Sequence, residues 1–424
     1  MSIIIKQGLV VDPSQGLRAI KDVLIENGKI VRIADCIIPG TSQAINAKGL
    51  VVMPGLVDMH AHLREPGRED KETIETATMA ALAGGITSVL AMPNTTPCID
   101  SAQAAGLLQK RIQKSAKANV FVAGALTKNR KGHALTDIEG LCNKSVLAFT
   151  DDGSSVDDEK LLSSAFDICR KTGVLIVCHC EDTALSAGGT VNRGFISTSM
   201  GLRGISKESE YKRVERDINI AESAQARIHI AHVSCAESVD VIRQAKAKGV
   251  KVTAETCPHY LMLCEDDVRG FDTNKKMNPP LRSCDDRNSL KRAVIDGVID
   301  IVSTDHAPHT ENEKDIEFER AAFGVIGLET MLPVTLTALY GNDSTDLTKI
   351  AQICSTGPAR ILGLKKGTLS AGSDADVVIF DPEREWMVEK RGIVSKSKNS
   401  AFLGMRLKGK VIFTILNGAV AYQA

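Results

Sequence analysis

The sequence of 424 residues lacks an excess of charge of either sign, because 52 basic residues balance 52 acidic ones. No run of one sign stands out, which argues against nucleic acid or an anionic membrane as the partner. The sequence also lacks an apolar run near the roughly 20 residues that a membrane-spanning helix needs. The apolar stretch at the N-terminus soon meets polar residues and indicates a strand rather than a secretion signal. We therefore expect a cytoplasmic protein.

Nucleotide-binding motifs are missing as well, since neither a strand–Gly-x-Gly-x-x-Gly–helix fingerprint nor a P-loop is present.

The eleven cysteines, an odd number, lie in apolar contexts such as Val177-Cys178. Without a secretion signal, such cysteines are expected to be reduced and buried rather than paired in disulfides. The length allows a large core and exceeds that of one small domain.

Strand and helix patterns divide the chain into three parts. Residues 1–53 and 365–424 alternate apolar and polar residues between turn signals, of which Asn27-Gly28 is a strong hairpin signal. Over residues 54–364, short apolar runs alternate with amphipathic stretches such as residues 102–118. These repeated strand–helix units span about 310 residues and fit a (β/α)8 TIM-type barrel, which typically needs about 250. We expect an α/β protein with this barrel and a small β-sandwich domain formed from both chain termini; a doubly wound open sheet is the alternative.

Histidines and an aspartate stand where four predicted strands end. His60 and His62 follow the apolar run 50–57, and both imidazoles point to one side because side chains in a strand alternate faces. Three later strand ends carry similar side chains: His179 after residues 174–177, His232 after 228–231 and Asp305 after 298–302. Functional residues of a barrel lie at the C-terminal ends of its strands. The pattern therefore predicts a metal site on one rim.

The number of candidate ligands favours two metal ions. Four histidines and a carboxylate exceed the three protein ligands and a water of a tetrahedral catalytic zinc. Two ions about 3.5 to 4 Å apart would want a bridging carboxylate, which Asp151 or Asp152 offers at another strand end. Such a pair lowers the pKa of a shared water from about 15.7 towards 7, and an aspartate beside it can take the proton. The predicted reaction class is metal-assisted hydrolysis or its reverse.

Other histidines and cysteines near these strand ends are assigned different roles. His229 has the wrong strand parity for the site and is expected to point outward and pack. His306 is favoured as a hydrogen-bonding neighbour of the site rather than as a ligand. Cys178 and Cys180 face away from His179 and are expected to pack in the core.

Five motifs, in chain order, resemble those of the bacterial, long-chain dihydroorotases of the amidohydrolase superfamily: residues 58–67 (DMHAHLREPG), 92–95 (MPNT), 149–153 (FTDDG), 278–282 (NPPLR) and 305–309 (DHAPH). The resemblance runs across nearly the whole chain, including the split terminal β domain. It implies one or two zinc ions per chain, with two favoured. The implied ligands are His60, His62, Asp152 and Asp305 around one ion, and His179 and His232 around a second that Asp152 also reaches. Strand parity does not separate Asp151 from Asp152; the family's motif points to Asp152.

The resemblance also implies the reaction and the substrate contacts. The reaction is the reversible cyclisation of N-carbamoyl-L-aspartate to (S)-dihydroorotate plus water, in de novo pyrimidine (UMP) biosynthesis. In the ring-opening direction a metal-bound hydroxide is the nucleophile and Asp305 the general acid/base. The implied substrate contacts are His62, Arg64, Asn94, Asn278, His309, Phe323 and Gly324. A guanidinium suits this substrate because its fork matches a carboxylate.

Two alternative functions are weighed against this one. A hydantoinase or allantoinase is the nearest, but such relatives usually bridge their metals with a carboxylated lysine, and residues 149–152 contain none. Residues 255–260 (ETCPHY) look somewhat like the hydantoinase and allantoinase pattern, and His259 there could line the cleft. A non-catalytic partner of aspartate transcarbamoylase would have lost ligands, whereas all six are present. Besides the small-molecule substrate, a homodimer and a complex with aspartate transcarbamoylase are the partners considered.

Overall fold

The structure is a computed structural model that describes residues 2–40, 42–339 and 346–424. Its strands are β1 (Ser2–Asp12), β2 (Leu17–Glu26), β3 (Lys29–Ala34), β4 (Gln43–Asn46), β5 (Val51–Pro54), β6 (Leu56–Ala61), β7 (Ile86–Ala91), β8 (Asn119–Gly124), β9 (Val146–Phe149), β10 (Leu175–Cys178), β11 (Val191–Asn192), β12 (Gly204–Ile205), β13 (Ile228–Ile230), β14 (Val252–Thr256), β15 (Ile301–Val302), β16 (Val377–Met387), β17 (Arg406–Leu416) and β18 (Ala419–Gln423).

The α-helices are α1 (Ile74–Ala83), α2 (Ala102–Ser115), α3 (Ile138–Cys142), α4 (Glu159–Thr172), α5 (Thr183–Ser186), α6 (Phe195–Ser199), α7 (Glu208–Ser223), α8 (Ala236–Ala247), α9 (Pro258–Met262), α10 (Cys284–Asp296), α11 (Glu311–Lys314), α12 (Met331–Leu339), α13 (Leu347–Ala351) and α14 (Gly357–Leu362). Within the described residues, none of these helices has both the length and the apolar character needed to cross a bilayer.

Strands from both chain ends form one eight-stranded sheet, in the order β18-β17-β16-β5-β1-β2-β3 with β4 beside β1. The two ends meet where β5 pairs antiparallel with β16. The predicted hairpin at Asn27-Gly28 is confirmed: both residues have positive φ, 51° and 78°, as a tight turn between β2 and β3 requires. This sheet has its own apolar cluster, which combines N-terminal residues such as Ile25 with C-terminal ones such as Val377. A separate domain with bounds 1–53 and 365–424 stays a prediction.

Eight parallel strands form the barrel, in the order β6-β7-β8-β9-β10-β13-β14-β15. The edge strands approach each other just beyond β15, where Ala61 forms a bridge with His306 and the His62 N–H donates to the His306 carbonyl at 2.9 Å. The predicted TIM-type barrel is therefore confirmed, and the open sheet is excluded.

Two apolar clusters show which side chains face the barrel interior. Leu175 and Val177 belong to a cluster made by strand residues and α14, whereas Cys178 and Cys180 pack in the larger cluster that includes the helices. This alternation along β10 directs the next inward position, His179, to the rim. The packing role expected for Cys178 and Cys180 agrees with this arrangement.

Residues 393–400 return from the C-terminal part of the chain to the rim of the barrel. The hydroxyl of Ser397 donates to the carbonyl of Lys71 at 2.7 Å. The amide Nδ2 of Asn399 donates to the carbonyl of Gly324 at 3.2 Å. Both Ser397 and Asn399 are buried, so these bonds are shielded from water and fix the rim loops.

One pair of cysteines lies in contact. Cys264 and Cys284 are 20 residues apart with their Cα atoms 5.2 Å from each other, while the other nine cysteines are free. The contact closes the loop that carries Asn278. The expectation of reduced thiols stays a prediction for this pair.

Candidate metal centre and substrate site

The carboxylate of Asp152, just beyond β9, lies among four histidine rings. Its Oδ1 is 3.2 Å from Nε2 of His60, 3.6 Å from Nδ1 of His179 and 3.6 Å from Nε2 of His232. Its Oδ2 is 3.4 Å from Nε2 of His62. All five side chains are buried. A carboxylate that faces several imidazole nitrogens is a group that can ligate a metal ion together with them.

Asp305 approaches the same group from beyond β15. Its Oδ1 is 3.0 Å from Nε2 of His62 and 3.5 Å from Nε2 of His60. Asp151, the alternative to Asp152, turns away and accepts the N–H of Thr127 at 2.9 Å. The structure thus brings all six predicted ligands together, and it contains two overlapping groups able to hold an ion: His60, His62 and Asp305, and His60, Asp152 and His232.

His232 reaches the site through a turn of the backbone and not through strand parity. β13 ends at Ile230, and His232 has a φ of 34°, in the left-handed region that non-glycine residues rarely adopt. Ile228 and Ile230 pack in the outer cluster, so the inward position of β13 is His229. The prediction that His229 points outward is wrong: its Nε2 lies 3.2 Å from Oε2 of Glu255, the residue whose other carboxylate oxygen contacts the ligand candidate His60.

The hydrogen bonds of His60 show that the site fits a metal. Nδ1 of this ring is 2.7 Å from Oε1 of Glu255, and a carboxylate can only accept, so Nδ1 carries the proton. In the neutral ring, which is the form that binds a metal, Nε2 then carries the lone pair, and this nitrogen is buried without a hydrogen-bond partner. Nδ1 of His179 and Nε2 of His232 face each other at 2.8 Å. Imidazole nitrogens and carboxylates arranged in this way are ligands that zinc prefers.

The pKa values show the strength of the negative field. Burial lowers the pKa of His60, but the charges of Asp152, Asp305 and Glu255 more than offset it and raise that pKa well above its usual range. Burial raises the pKa of Asp152, yet the facing histidines, His60 first, bring it well below its usual range. In His179, burial is likewise outweighed by Asp152 and the pKa rises to about 9. The carboxylates therefore favour positive charge in this space. A divalent metal bound by the neutral histidines would supply that charge in place of the ring protons.

Arg64, His309 and Gly324 lie together beside this centre. The Arg64 Nε–H donates to the carbonyl of Pro308 at 3.1 Å, and Nη2 lies 3.4 Å from Nε2 of His309. Gly324 has a φ of 123°, and a Cβ there would meet the Ala307 methyl at 2.6 Å and Nε2 of His309 at 3.4 Å. Glycine is therefore required for this close approach.

Of the two predicted asparagines, Asn94 contacts a ligand candidate directly and Asn278 reaches one through Glu181. Oδ1 of Asn94 is 2.8 Å from Nδ1 of His62. Nδ2 of Asn278 donates to Glu181 at 2.9 Å, and the same carboxylate oxygen is 3.1 Å from Nε2 of His179. Each asparagine keeps part of its amide free for a substrate. The ring of Phe323 packs against another group, the ammonium of the buried Lys276, which lies 4.4 Å from the ring centroid.

Comparison with known proteins identifies the family. The family model described as "Dihydro-orotase-like" matches residues 49–238. The dihydroorotase of Elusimicrobium minutum is 47% identical over 423 residues, covering 100% of this chain and 98% of the relative. The dihydroorotase of a Geobacter species is 46% identical over 425 residues, covering 100% of both. The chain belongs to the dihydroorotase family. It is an enzyme of the cyclic amidohydrolase class.

Solved structures connect this dihydroorotase-family chain to neighbouring cyclic amidases. The L-hydantoinase (dihydropyrimidinase) from Arthrobacter aurescens superposes with a TM-score of 0.88 at 26% sequence identity, covering 99% of this chain and 95% of that one. The two chains therefore share one fold over almost their whole length. Sequence identity is much higher to the dihydroorotases than to this hydantoinase.

Two further histidines near the site, His306 and His259, belong to neither of the two groups of side chains that could hold an ion. Nδ1 of His306 accepts the N–H of Gly327 at 3.1 Å, which agrees with its expected role as a hydrogen-bonding neighbour. His259 is buried, and burial lowers its pKa to about 4, so the ring is neutral.

Sequence reasoning overlooked Glu255 and Lys71, which contact His60 and His309 respectively. Glu255 is the second-last residue of β14, a strand that was not among the predicted ones. An acidic residue at the end of such a strand was the available signal. Lys71 lies in a polar loop, and nothing in its local sequence distinguishes it from a solvated lysine.

We expect Glu255→Gln to weaken metal binding about 10- to 100-fold, because the neutral amide orients His60 less firmly and lowers its basicity. Competition with a chromophoric chelator measures the affinity. Thermal unfolding of the metal-free protein shows that the variant is folded. Glu237→Gln, an exposed glutamate on α8, is the matched control. Unchanged affinity in Glu255→Gln would show that this contact does not position His60.

Proposed function

We propose that the protein interconverts (S)-dihydroorotate and N-carbamoyl-L-aspartate with two zinc ions. The ligands are the six side chains that meet at the rim: His60, His62, Asp152, His179, His232 and Asp305. The observation that carries the proposal is the Asp152 carboxylate, whose oxygens lie 3.2–3.6 Å from a ring nitrogen of all four histidines. The number of ligands supports two ions, since one tetrahedral catalytic zinc uses only three.

When bound, the ions supply a water that ionises near neutral pH and polarise the amide oxygen. Asp305 moves the proton. Burial raises the pKa of this carboxyl, but the neighbouring His60 and His62 have a larger effect in the opposite direction. The net pKa lies below the usual range, so the group is an ionised base at neutral pH. It takes the proton of the attacking water and gives it to the ring nitrogen as the C–N bond breaks. Ring closure uses the same group in reverse.

Arg64 gives selectivity for the substrate carboxylate. Burial lowers the pKa of this guanidinium to about 10, which leaves it charged at neutral pH. A partly buried guanidinium binds a carboxylate more strongly than a solvated one does, because water competes less. Asn94 and Asn278 offer amide groups that can pair with the ring amides. Phe323-Gly324 offers its backbone to the substrate, since Gly324 has no side chain and a Cβ there would lie 3.4 Å from Nε2 of His309.

Hydantoinase activity is the second candidate, because the L-hydantoinase fold matches at a TM-score of 0.88. Two observations favour dihydroorotase. Aspartate and not lysine occupies the position between the four histidines, and Arg64 provides a carboxylate-binding cation that hydantoin does not need.

Turnover of a substrate panel tests the function. We expect purified protein supplied with zinc to open dihydroorotate and to close N-carbamoyl-aspartate, with hydantoin, dihydrouracil and allantoin turned over at least about 100-fold less efficiently. Absorbance and chromatography follow the reactions. Efficient hydrolysis of hydantoin or allantoin without turnover of dihydroorotate would refute the assignment.

The proposed reaction is a step of de novo UMP biosynthesis and belongs in the cytoplasm. A homodimer and a complex with aspartate transcarbamoylase stay predictions.

A further inference from the structure

A buried lysine contacts His309 on the side away from Arg64. Lys71, in the loop between β6 and α1, is only 5% exposed. Its Nζ lies 3.1 Å from Nδ1 of His309 and 2.7 Å from Oε1 of Glu313. A buried ammonium is costly unless it is paired, and the proposed mechanism gives this one no task.

The contact decides where the imidazole carries its proton. An ammonium group can only donate, so Nδ1 of His309 must accept from Lys71. Burial and the charges of Arg64 and Lys71 lower the pKa of His309 to about 3, so the ring is neutral and holds one proton. That proton is therefore on Nε2.

Nε2 of His309 then forms a pair of donors with Arg64. The two nitrogens are 3.4 Å apart, and both carry hydrogens, so they cannot satisfy each other. An anionic oxygen placed between them accepts from both. Gly324 borders the same space, since a Cβ there would lie 3.4 Å from Nε2.

Glu313 favours the opposite tautomer. Its Oε2 is 3.3 Å from Nδ1 of His309 and could accept a proton from it. Nε2 would then present a lone pair to the substrate carboxylate and repel it. Lys71 opposes this in two ways, because it donates to Nδ1 and neutralises Glu313 through their ion pair.

We infer that Lys71 is a positioning residue that sets substrate specificity: it holds His309 as the Nε2–H tautomer, which together with Arg64 binds the carboxylate of the substrate. The inference rests on the proposed function for the identity of that carboxylate. Lys71 itself touches no reacting atom.

Steady-state kinetics of Lys71→Met test the inference. The KM for dihydroorotate is expected to rise about 10- to 100-fold, the usual effect of a lost hydrogen bond to a charged group, while kcat stays within about threefold. Lys71→Met/Glu313→Gln should recover much of this loss, because the competing carboxylate is gone and a glutamine can donate to Nδ1. Lys390→Met, which changes an exposed lysine lining the same cavity as His309, is the control.

Nitrogen NMR of histidine-labelled protein reads the tautomer without any substrate. The wild-type signal of His309, assigned with a His309→Gln variant, should show a protonated Nε2 and a bare Nδ1, and Lys71→Met should reverse this. A protonated Nδ1 in the wild type, or an unchanged tautomer in Lys71→Met, would overturn the inference. If instead the wild type does not turn over dihydroorotate, the proposed function fails while the NMR result still judges the role of Lys71.

Discussion

Asp305→Asn is expected to lower kcat for dihydroorotate by about 10²- to 10⁴-fold, the contribution typical of a positioned acid/base group. The amide keeps the shape and one oxygen near His62, but it cannot take a proton from water. Asparagine is preferred to alanine because residue 305 has a φ of 47°, a conformation that Asp and Asn adopt more readily than other side chains. Rates and metal content are measured on the same preparation.

Metal content is the essential companion measurement, because Asp305 is also a proposed ligand. Metal close to the wild-type level with the rate lost would assign the effect to proton transfer. Asp240→Asn, which removes an exposed carboxylate on α8, is the control for a general charge effect. A near-normal kcat in Asp305→Asn would show that another group transfers the proton.

Asp152→Asn is expected to abolish turnover by a different route, through loss of metal. No other described carboxylate lies between all four histidines, and its charge offsets the cost of burying two cations. The metal-to-protein ratio after gentle purification should fall well below that of the wild type. The loss of affinity should exceed the 10- to 100-fold typical of groups that only support a ligand.

The neighbouring aspartate provides a matched control for this variant. Asp151 is also buried, but it accepts from Thr127 and makes no contact with the four histidines. Asp151→Asn should therefore retain metal and rate. If Asp151→Asn lost metal and Asp152→Asn kept it, the proposed ligand set would be wrong.

The barrel was predictable because its signal is local. Each apolar run between helical stretches is long enough to indicate a strand, and the alternation of faces placed His60, His62 and His179 near one rim. β14 escaped because Val252–Thr256 includes Thr253 and Glu255 and so lacks an apolar run. With that strand unrecognised, Glu255 had no assigned position in the barrel.

Alternation of faces fails where the strand has already ended. Counting from Ile228 placed His232 inward and His229 outward, yet the chain leaves β13 at Ile230 and turns. A left-handed φ at His232 resets the direction of its side chain. Counting faces along the strand predicted His232 correctly as a site residue but assigned His229 to the wrong side. The turn after Ile230 decides both positions, and the local sequence does not encode it.

Contacts between distant parts of the chain were beyond sequence reasoning altogether. The contact between Cys264 and Cys284, the approach of Lys71 to His309 and the hydrogen bonds of Asn399 all depend on how loops fold over the rim. Their energies depend on burial, and burial is a property of the completed fold.

The contacts of residues 393–400 have a consequence for the order in which the site assembles during synthesis. The six candidate ligands all lie between residues 60 and 305, so a nascent chain that has folded its barrel can already bring them together. The side that holds Arg64 and His309 is different. There the side-chain oxygen of Asn399 accepts the backbone N–H of His309 at 3.2 Å, and its amide nitrogen donates to the Gly324 carbonyl. That half must await residues 393–400, which leave the ribosome after the whole barrel region. Metal capture can therefore precede recognition of substrate in the life of each molecule.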